Sequence, residues 1–263
     1  MKRTSIMLAS FKVARAIPGA LIMFAALAAQ AQADVPDYIA KSLADPARPL
    51  EERARDGDRK PAEVLAFSAV RPGQRVADFM SGGGYFTRLL SRVVGAKGRV
   101  YAFVPDEQMK NCAPRETAGT RAIEHDNRYA NVTVVRLPVN RFRVPEPLDL
   151  VWTALNFHDL YDSFMGPADV PAVTRSLYAA LKPGGILLVI DHAAAANSGT
   201  RDTGTLHRID PQVIVREALA AGFQVDAHSE VLRNPADTHR LLVFDPAIRG
   251  RTDQVVLKFR KPR

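Results

Sequence analysis

The chain has 263 residues, one cysteine and a formal charge of +8 at pH 7. That length suits one large domain or two small ones, and the lone Cys112 excludes an intrachain disulfide. Basic residues are interspersed, with no Lys/Arg block of five or more and no aromatic interleaving, so the sequence carries no nucleic-acid footprint.

In chain order, Lys2, Arg3, Lys12 and Arg15 come first, with no acid before Asp34. Ala16 to Ala29 is an apolar run, and Ala31-Gln32-Ala33 supplies small residues at the A-x-A positions. The pattern predicts a signal peptide over residues 1–33 and a mature protein that is periplasmic or secreted, without stable membrane insertion. An uncleaved anchor is the competing reading, although the run is shorter than the roughly 20 apolar residues of a span. Removing the leader's four positive charges leaves +8 − 4 = +4.

Residues 34–70 read as an N-terminal helical segment, and the mixed charges Glu51 to Lys60 read as a solvated surface. Pro61 opens a short helix, as proline suits a first turn. From residue 71 to 263 apolar strands alternate with helices. Strands are expected at Arg75–Phe79, Arg99–Val104, Asn131–Leu137, Leu148–Ala154 and Gly185–Asp191, and then at Phe223–Leu232 and Thr252–Phe259. Long helical stretches are expected near 106–128, Pro171–Leu181 and Pro211–Ala221. Nearly continuous apolar strands between helices predict an α/β, Rossmann-like, seven-stranded and mostly parallel sheet with helices on both faces. No long helix separates the last two strands, which predicts an antiparallel final strand.

The first strand enters Met80-Ser81-Gly82-Gly83-Gly84-Tyr85 and then a helix. Strand, glycine turn and helix in that order form a nucleotide-binding turn, since glycine removes the Cβ and permits positive φ while helix-start amides face the ligand. The alternative is a tight strand-to-helix turn with no ligand.

Val76 to Thr87, Arg99 to Ala102, Leu148 to Trp152 and Leu181-Lys182-Pro183-Gly184-Gly185 together resemble the class I S-adenosylmethionine-dependent methyltransferases. Gly82 to Thr87, with Asn156-Phe157-His158-Asp159 and Asp191-His192, also resembles a group of exported bacterial methyltransferase-like proteins. The resemblance implies a methyltransferase-like domain over 71–263 and S-adenosylmethionine as cofactor. It would be held by Asp78, Ser81, Gly82, Gly83, Gly84, Tyr85 and Asp106. Three positions depart from the pattern. Met80 replaces a turn glycine, Val104 replaces the ribose-binding acid, and Arg136-Leu137-Pro138 replaces the acid after the third strand. Asp106 could serve the ribose if the second strand is bulged.

In open α/β sheets ligands lie beyond the carboxyl ends of the strands. His158 and Asp159 follow the fourth strand, His192 ends the fifth, and His207 lies on the next loop. These four are the candidate catalytic residues, an acid-base centre in which a carboxylate orients a histidine. The same groups with His239 are metal-type donors, but none shows helical i, i+4 spacing, and no metal ligand is assigned. The expected function is methyl transfer to a small acceptor outside the cytoplasm. The alternative is an exported, non-catalytic ligand-binding protein on the same scaffold.

Overall fold

The computed structural model describes residues 35–263 apart from Pro167. The expected leader therefore lies outside the described residues. Four short helices come first: α1 (Asp37–Leu43), α2 (Leu50–Arg53), α3 (Asp56–Arg59) and α4 (Pro61–Ser68). The alternating part follows as β1 (Arg75–Phe79), α5 (Tyr85–Val94), β2 (Arg99–Pro105), α6 (Asp106–Asn111), α7 (Arg115–Glu124), β3 (Val132–Leu137) and β4 (Leu148–Ala154). It ends with α8 (Val170–Ala180), β5 (Leu181–His192), α9 (Thr203–Leu206), α10 (Pro211–Ala220), β6 (Gln224–Ser229) and β7 (Gln254–Arg260).

The seven strands form one sheet in the order β3-β2-β1-β4-β5-β7-β6. β1 to β5 pair in parallel, and β7 runs antiparallel between β5 and β6. The order reverses beside β1, between β2 and β4, where such a sheet opens a crevice at its carboxyl edge.

Each face has its own core, because a strand sends successive side chains to opposite sides. Ala77, Phe79, Tyr101, Phe103, Val151, Leu187 and Val189 pack on one face with α8 and α10. Val76, Val100, Leu150, Trp152, Leu188 and Ile190 pack on the other with α1, α4 and α5. Phe86 at the start of α5 meets Trp152 at 4.6 Å between ring centroids, which fixes α5 on the sheet.

Two expectations are corrected. The helix expected near 106–128 is two helices, α6 and α7, separated at Cys112-Ala113-Pro114, where proline cannot continue a helical ladder. The charged run Glu51 to Lys60 is solvated as expected at Glu51, Arg53, Arg55, Asp58 and Lys60, but Glu52, Asp56 and Arg59 are half-buried. Arg48 pairs with Asp56 at 2.7 Å, Glu52 pairs with Arg88 of α5, and Tyr85 donates to Asp56 at 2.6 Å. The N-terminal helices thus fold onto the first turn of α5. Among the described residues, no helix is long and apolar enough to cross a membrane.

Candidate active site

The glycine turn is shaped by its left-handed residues. Gly82 and Gly84 have φ of 52° and 82°, and Met80 stands at 59°. A non-glycine residue pays roughly 1–2 kcal/mol for that conformation, which explains why the family pattern has glycine here. The Met80 side chain is buried in the core cluster that holds Phe79, Phe103 and Phe157, so it does not fill the open side of the turn. Its carbonyl accepts from Asn156 Nδ2 at 2.6 Å, and Asn156 in turn accepts from Thr153. Asn156 ties the turn to the end of β4.

Helix α7 lies directly against the turn. Thr120 Oγ1 donates to the Gly82 carbonyl at 2.7 Å, and Arg88 Nη1 donates to the Gly83 carbonyl at 3.1 Å. A Cβ on Gly119 would stand 1.9 Å from the Gly83 oxygen, so only glycine permits this approach. The turn's carbonyls are engaged, while the Gly82 and Gly83 amides make no hydrogen bond within the described residues. Gly83 is exposed. Two free amides at an exposed turn suit an anionic group such as a carboxylate.

Asp78, at the end of β1, is fully buried and accepts from Thr87 Oγ1 at 2.6 Å. Burial pushes its carboxyl up to about 7, although Thr87 and the charge of Arg59 oppose the shift. Tyr85 is tied to Asp56 and lies under Arg59, whose guanidinium carbon is 4.5 Å from the ring centroid. Ser81 Oγ lies 3.3 Å from Thr120 Oγ1. β2 stays in register with both neighbours through Phe103, and with β3 through Pro105, so there is no bulge to turn Asp106 inward. Asp106 is exposed as the first residue of α6, on the rim of the crevice.

On the other side of β4 the loops converge. His158 opens a 3-10 turn, and its backbone amide and Nδ1 meet Asp191 Oδ2 and Oδ1 at 2.8 and 2.7 Å. Its Nε2 faces Asp159 Oδ1 at 3.1 Å and His207 Nδ1 at 3.3 Å. Burial opposes a charged ring here, yet the carboxylates of Asp191 and Asp159 outweigh it and hold the His158 pKa well above its ordinary value. His192 is the opposite case. Burial, with the positive charges of His158, Arg208 and Arg59, holds it well below its ordinary value. Its Nδ1 is 2.7 Å from Thr252 Oγ1. The crevice therefore contains one imidazole disposed to be charged and one disposed to be neutral.

His158, Asp159, His192 and His207 thus share one edge, with the His158 and His192 rings 6.1 Å apart. His239 does not join them. Its Nε2 meets Asp253 Oδ2 at 2.9 Å in a network that also holds Arg208 and Asp237 and pins the loop between β6 and β7. Sequence reasoning missed Arg59 and Asp162. Arg59 is half-buried with its Nε enclosed, desolvation lowers its pKa to about 10, and its charge acts on both Asp78 and His192. Nothing in a mixed-charge run marks one arginine for burial. Asp162 is buried beside His207, and its place three residues beyond Asp159 was the available signal.

No family model matches the chain. Among curated proteins, the ubiquinone/menaquinone biosynthesis C-methyltransferase UbiE of Shewanella oneidensis is 32% identical over 190 residues, covering 69% of this chain and 69% of that protein. The protein of the same description from Vibrio vulnificus is 28% identical over 192 residues, covering 73% of this chain and 63% of that protein. The alignment thus spans less than two thirds of the Vibrio protein's length. Among solved structures, an S-adenosylmethionine-dependent methyltransferase from Mesorhizobium loti superposes with a TM-score of 0.54 at 17% identity, over 79% of this chain and all of that one, a likeness of fold. With the sheet order, the glycine turn and the Shewanella relative in agreement, the chain belongs to the class I S-adenosylmethionine-dependent methyltransferases.

Proposed function

We propose that the protein transfers a methyl group from S-adenosylmethionine to a small acceptor held at the His/Asp edge, outside the cytoplasm. The observation that carries this reading is the exposed Gly82-Gly83 turn with two free amides, set across β4 from a cluster of histidines. The Gly82 and Gly83 amides would hold the cofactor's carboxylate, and Asp78 is the acid that could receive its ammonium group. Asp106 on the rim is the acid available to the ribose. When bound, the sulfonium would supply the methyl group to an acceptor oxygen or nitrogen and depart as a thioether, leaving this chain's residues to take the acceptor's proton. His192 suits that step better than His158, because a neutral ring has a lone pair and a doubly paired imidazolium has none. The extracytoplasmic setting rests on the leader-like residues 1–33.

The non-catalytic reading draws on the end of β2, where buried Val104 and Pro105 stand in place of a ribose-binding carboxylate. Calorimetric titration with S-adenosylmethionine and its demethylated product separates the two. Gly83→Val is the informative variant. A Cβ there meets nothing nearer than the Glu116 carbonyl at 3.9 Å, so the fold accepts it while the side chain occupies the cofactor's place. Micromolar binding lost in Gly83→Val supports the enzyme, and absence of binding at millimolar ligand favours the alternative.

A further inference from the structure

Three donor atoms from two separate loops meet at one point. His158 Nε2 is 3.1 Å from Asp159 Oδ1 and 3.3 Å from His207 Nδ1, and His207 Nδ1 is 3.7 Å from Asp159 Oδ1. A tetrahedral cation with ligands at about 2.0–2.2 Å has edges of roughly 3.3–3.6 Å between donors. The 3.3 Å edge falls in that range, the 3.1 Å edge lies just below it and the 3.7 Å edge just above.

The surroundings supply what a cation site needs. Asp191 accepts from His158 Nδ1 at 2.7 Å, the carboxylate contact that commonly orients a metal-binding imidazole and leaves its Nε2 lone pair for the metal. With Nδ1 as the protonated atom, a neutral ring would aim the Nε2 lone pair at a carboxylate oxygen and at a second imidazole nitrogen. Something positive belongs between them. Asp162 adds an independent sign. Its carboxyl is buried to 5% side-chain exposure, Oδ2 is 4.0 Å from His207 Nδ1, and Oδ1 has no hydrogen-bond partner. A buried carboxylate oxygen without a partner is costly unless a cation or proton compensates it. His207 is presented by a left-handed residue, φ 52°, that closes α9 and turns the ring inward against Phe244, with centroids 5.0 Å apart.

We propose that His158 Nε2, His207 Nδ1 and the Asp159 carboxylate, beside the buried Asp162, bind a divalent transition cation of the zinc or manganese class. Two imidazoles and carboxylate oxygens are the donor set such ions accept. The site shares no residue with the glycine turn and lies on the acceptor side of the crevice, so its role in the reaction rests on the function proposed above, while cation binding itself does not. A cation here would lower the pKa of an acceptor hydroxyl bound beside it.

The test uses the untagged full-length protein, stripped by a chelator and titrated calorimetrically with zinc chloride and, separately, manganese chloride. The expected result is one equivalent bound at micromolar affinity or tighter for at least one of the two metals. His207→Gly removes a ligand while easing the left-handed backbone, and Asp159→Asn removes another with little change of volume. Each is expected to weaken binding by about 100-fold or more, beyond the 10- to 100-fold typical of losing a group behind a ligand. His239→Gln, outside the cluster, leaves the affinity unchanged. Absence of binding, or binding untouched by both His207→Gly and Asp159→Asn, overturns the site. Then the imidazolium of His158, paired to Asp191 and Asp159, accounts for the geometry instead.

Discussion

Asp78 is a buried carboxyl whose titration sets a cost on the fold. Its folded pKa of about 7 lies above the ordinary 3.8, so between those values the folded chain holds a proton that the unfolded chain has lost. Stability therefore falls as pH rises through that window and stays low above it. Asp78→Asn removes the penalty. Its stability is expected to match wild type near pH 4 and exceed it near pH 8 by up to about 4 kcal/mol, less whatever the amide loses against Thr87, read as a higher melting temperature. If Asp78 receives the cofactor's ammonium group, the same variant binds S-adenosylmethionine more weakly. A variant no more stable at pH 8 would show that Asp78 is already compensated in the fold. Met80 offers the reverse comparison. Met80→Gly eases a left-handed residue by roughly 1–2 kcal/mol but empties a core position worth about 2–5 kcal/mol. Net destabilisation is expected in a urea titration.

At the scale of elements, the decisive contact is α7 on the glycine turn. Gly119 faces the Gly83 carbonyl, and no side chain fits between them. Gly119→Val should push α7 off the turn and release the Thr120 and Arg88 contacts. The expected outcome is a loss of more than about 2 kcal/mol, with faster amide exchange across 115–124 relative to β1. Unchanged exchange in α7 would mean that the helix is held elsewhere. None of this was legible in the sequence. The glycine turn itself was, because its chemistry is local: three adjacent glycines between a strand and a helix. Its cover was not, because Gly119 and Gly83 meet through space with no pattern in either segment to announce it. The His/Asp edge is intermediate. The rule that ligands lie beyond strand ends brought His158, Asp159, His192 and His207 to one side, but only the fold sets His158 against His207, 49 residues away. The absence of helical spacing argued against metal ligands, although loops bring donors together without any spacing rule.

At the scale of the whole molecule, the architecture was the most legible part. Strand-sized apolar runs alternating with helices specify a parallel sheet, and the missing helix before the last strand specifies its reversal. The structure agrees on both. What composition concealed was that, within a mostly solvated run, Glu52 and Asp56 are partners for α5. Arg59→Ala tests the part that run plays. Removing the cation raises the Asp78 pKa further and relieves a small part of the depression on His192, which burial, His158 and Arg208 mostly set. In a proton-observed titration the His192 resonance should move to a higher midpoint. An unmoved midpoint would place Arg59's charge too far away to matter.

The antiparallel strand β7 has a consequence for how the molecule comes into being. β6 touches the sheet only through β7, and β5 has no other neighbour on that side. Until residue 260 has left the ribosome, β5 presents a bare edge and β6 has nowhere to dock. The sheet therefore closes late, by insertion of a strand between two that were made before it. A chain whose central pairing strand comes this late reaches its native sheet only after nearly all of it has been made.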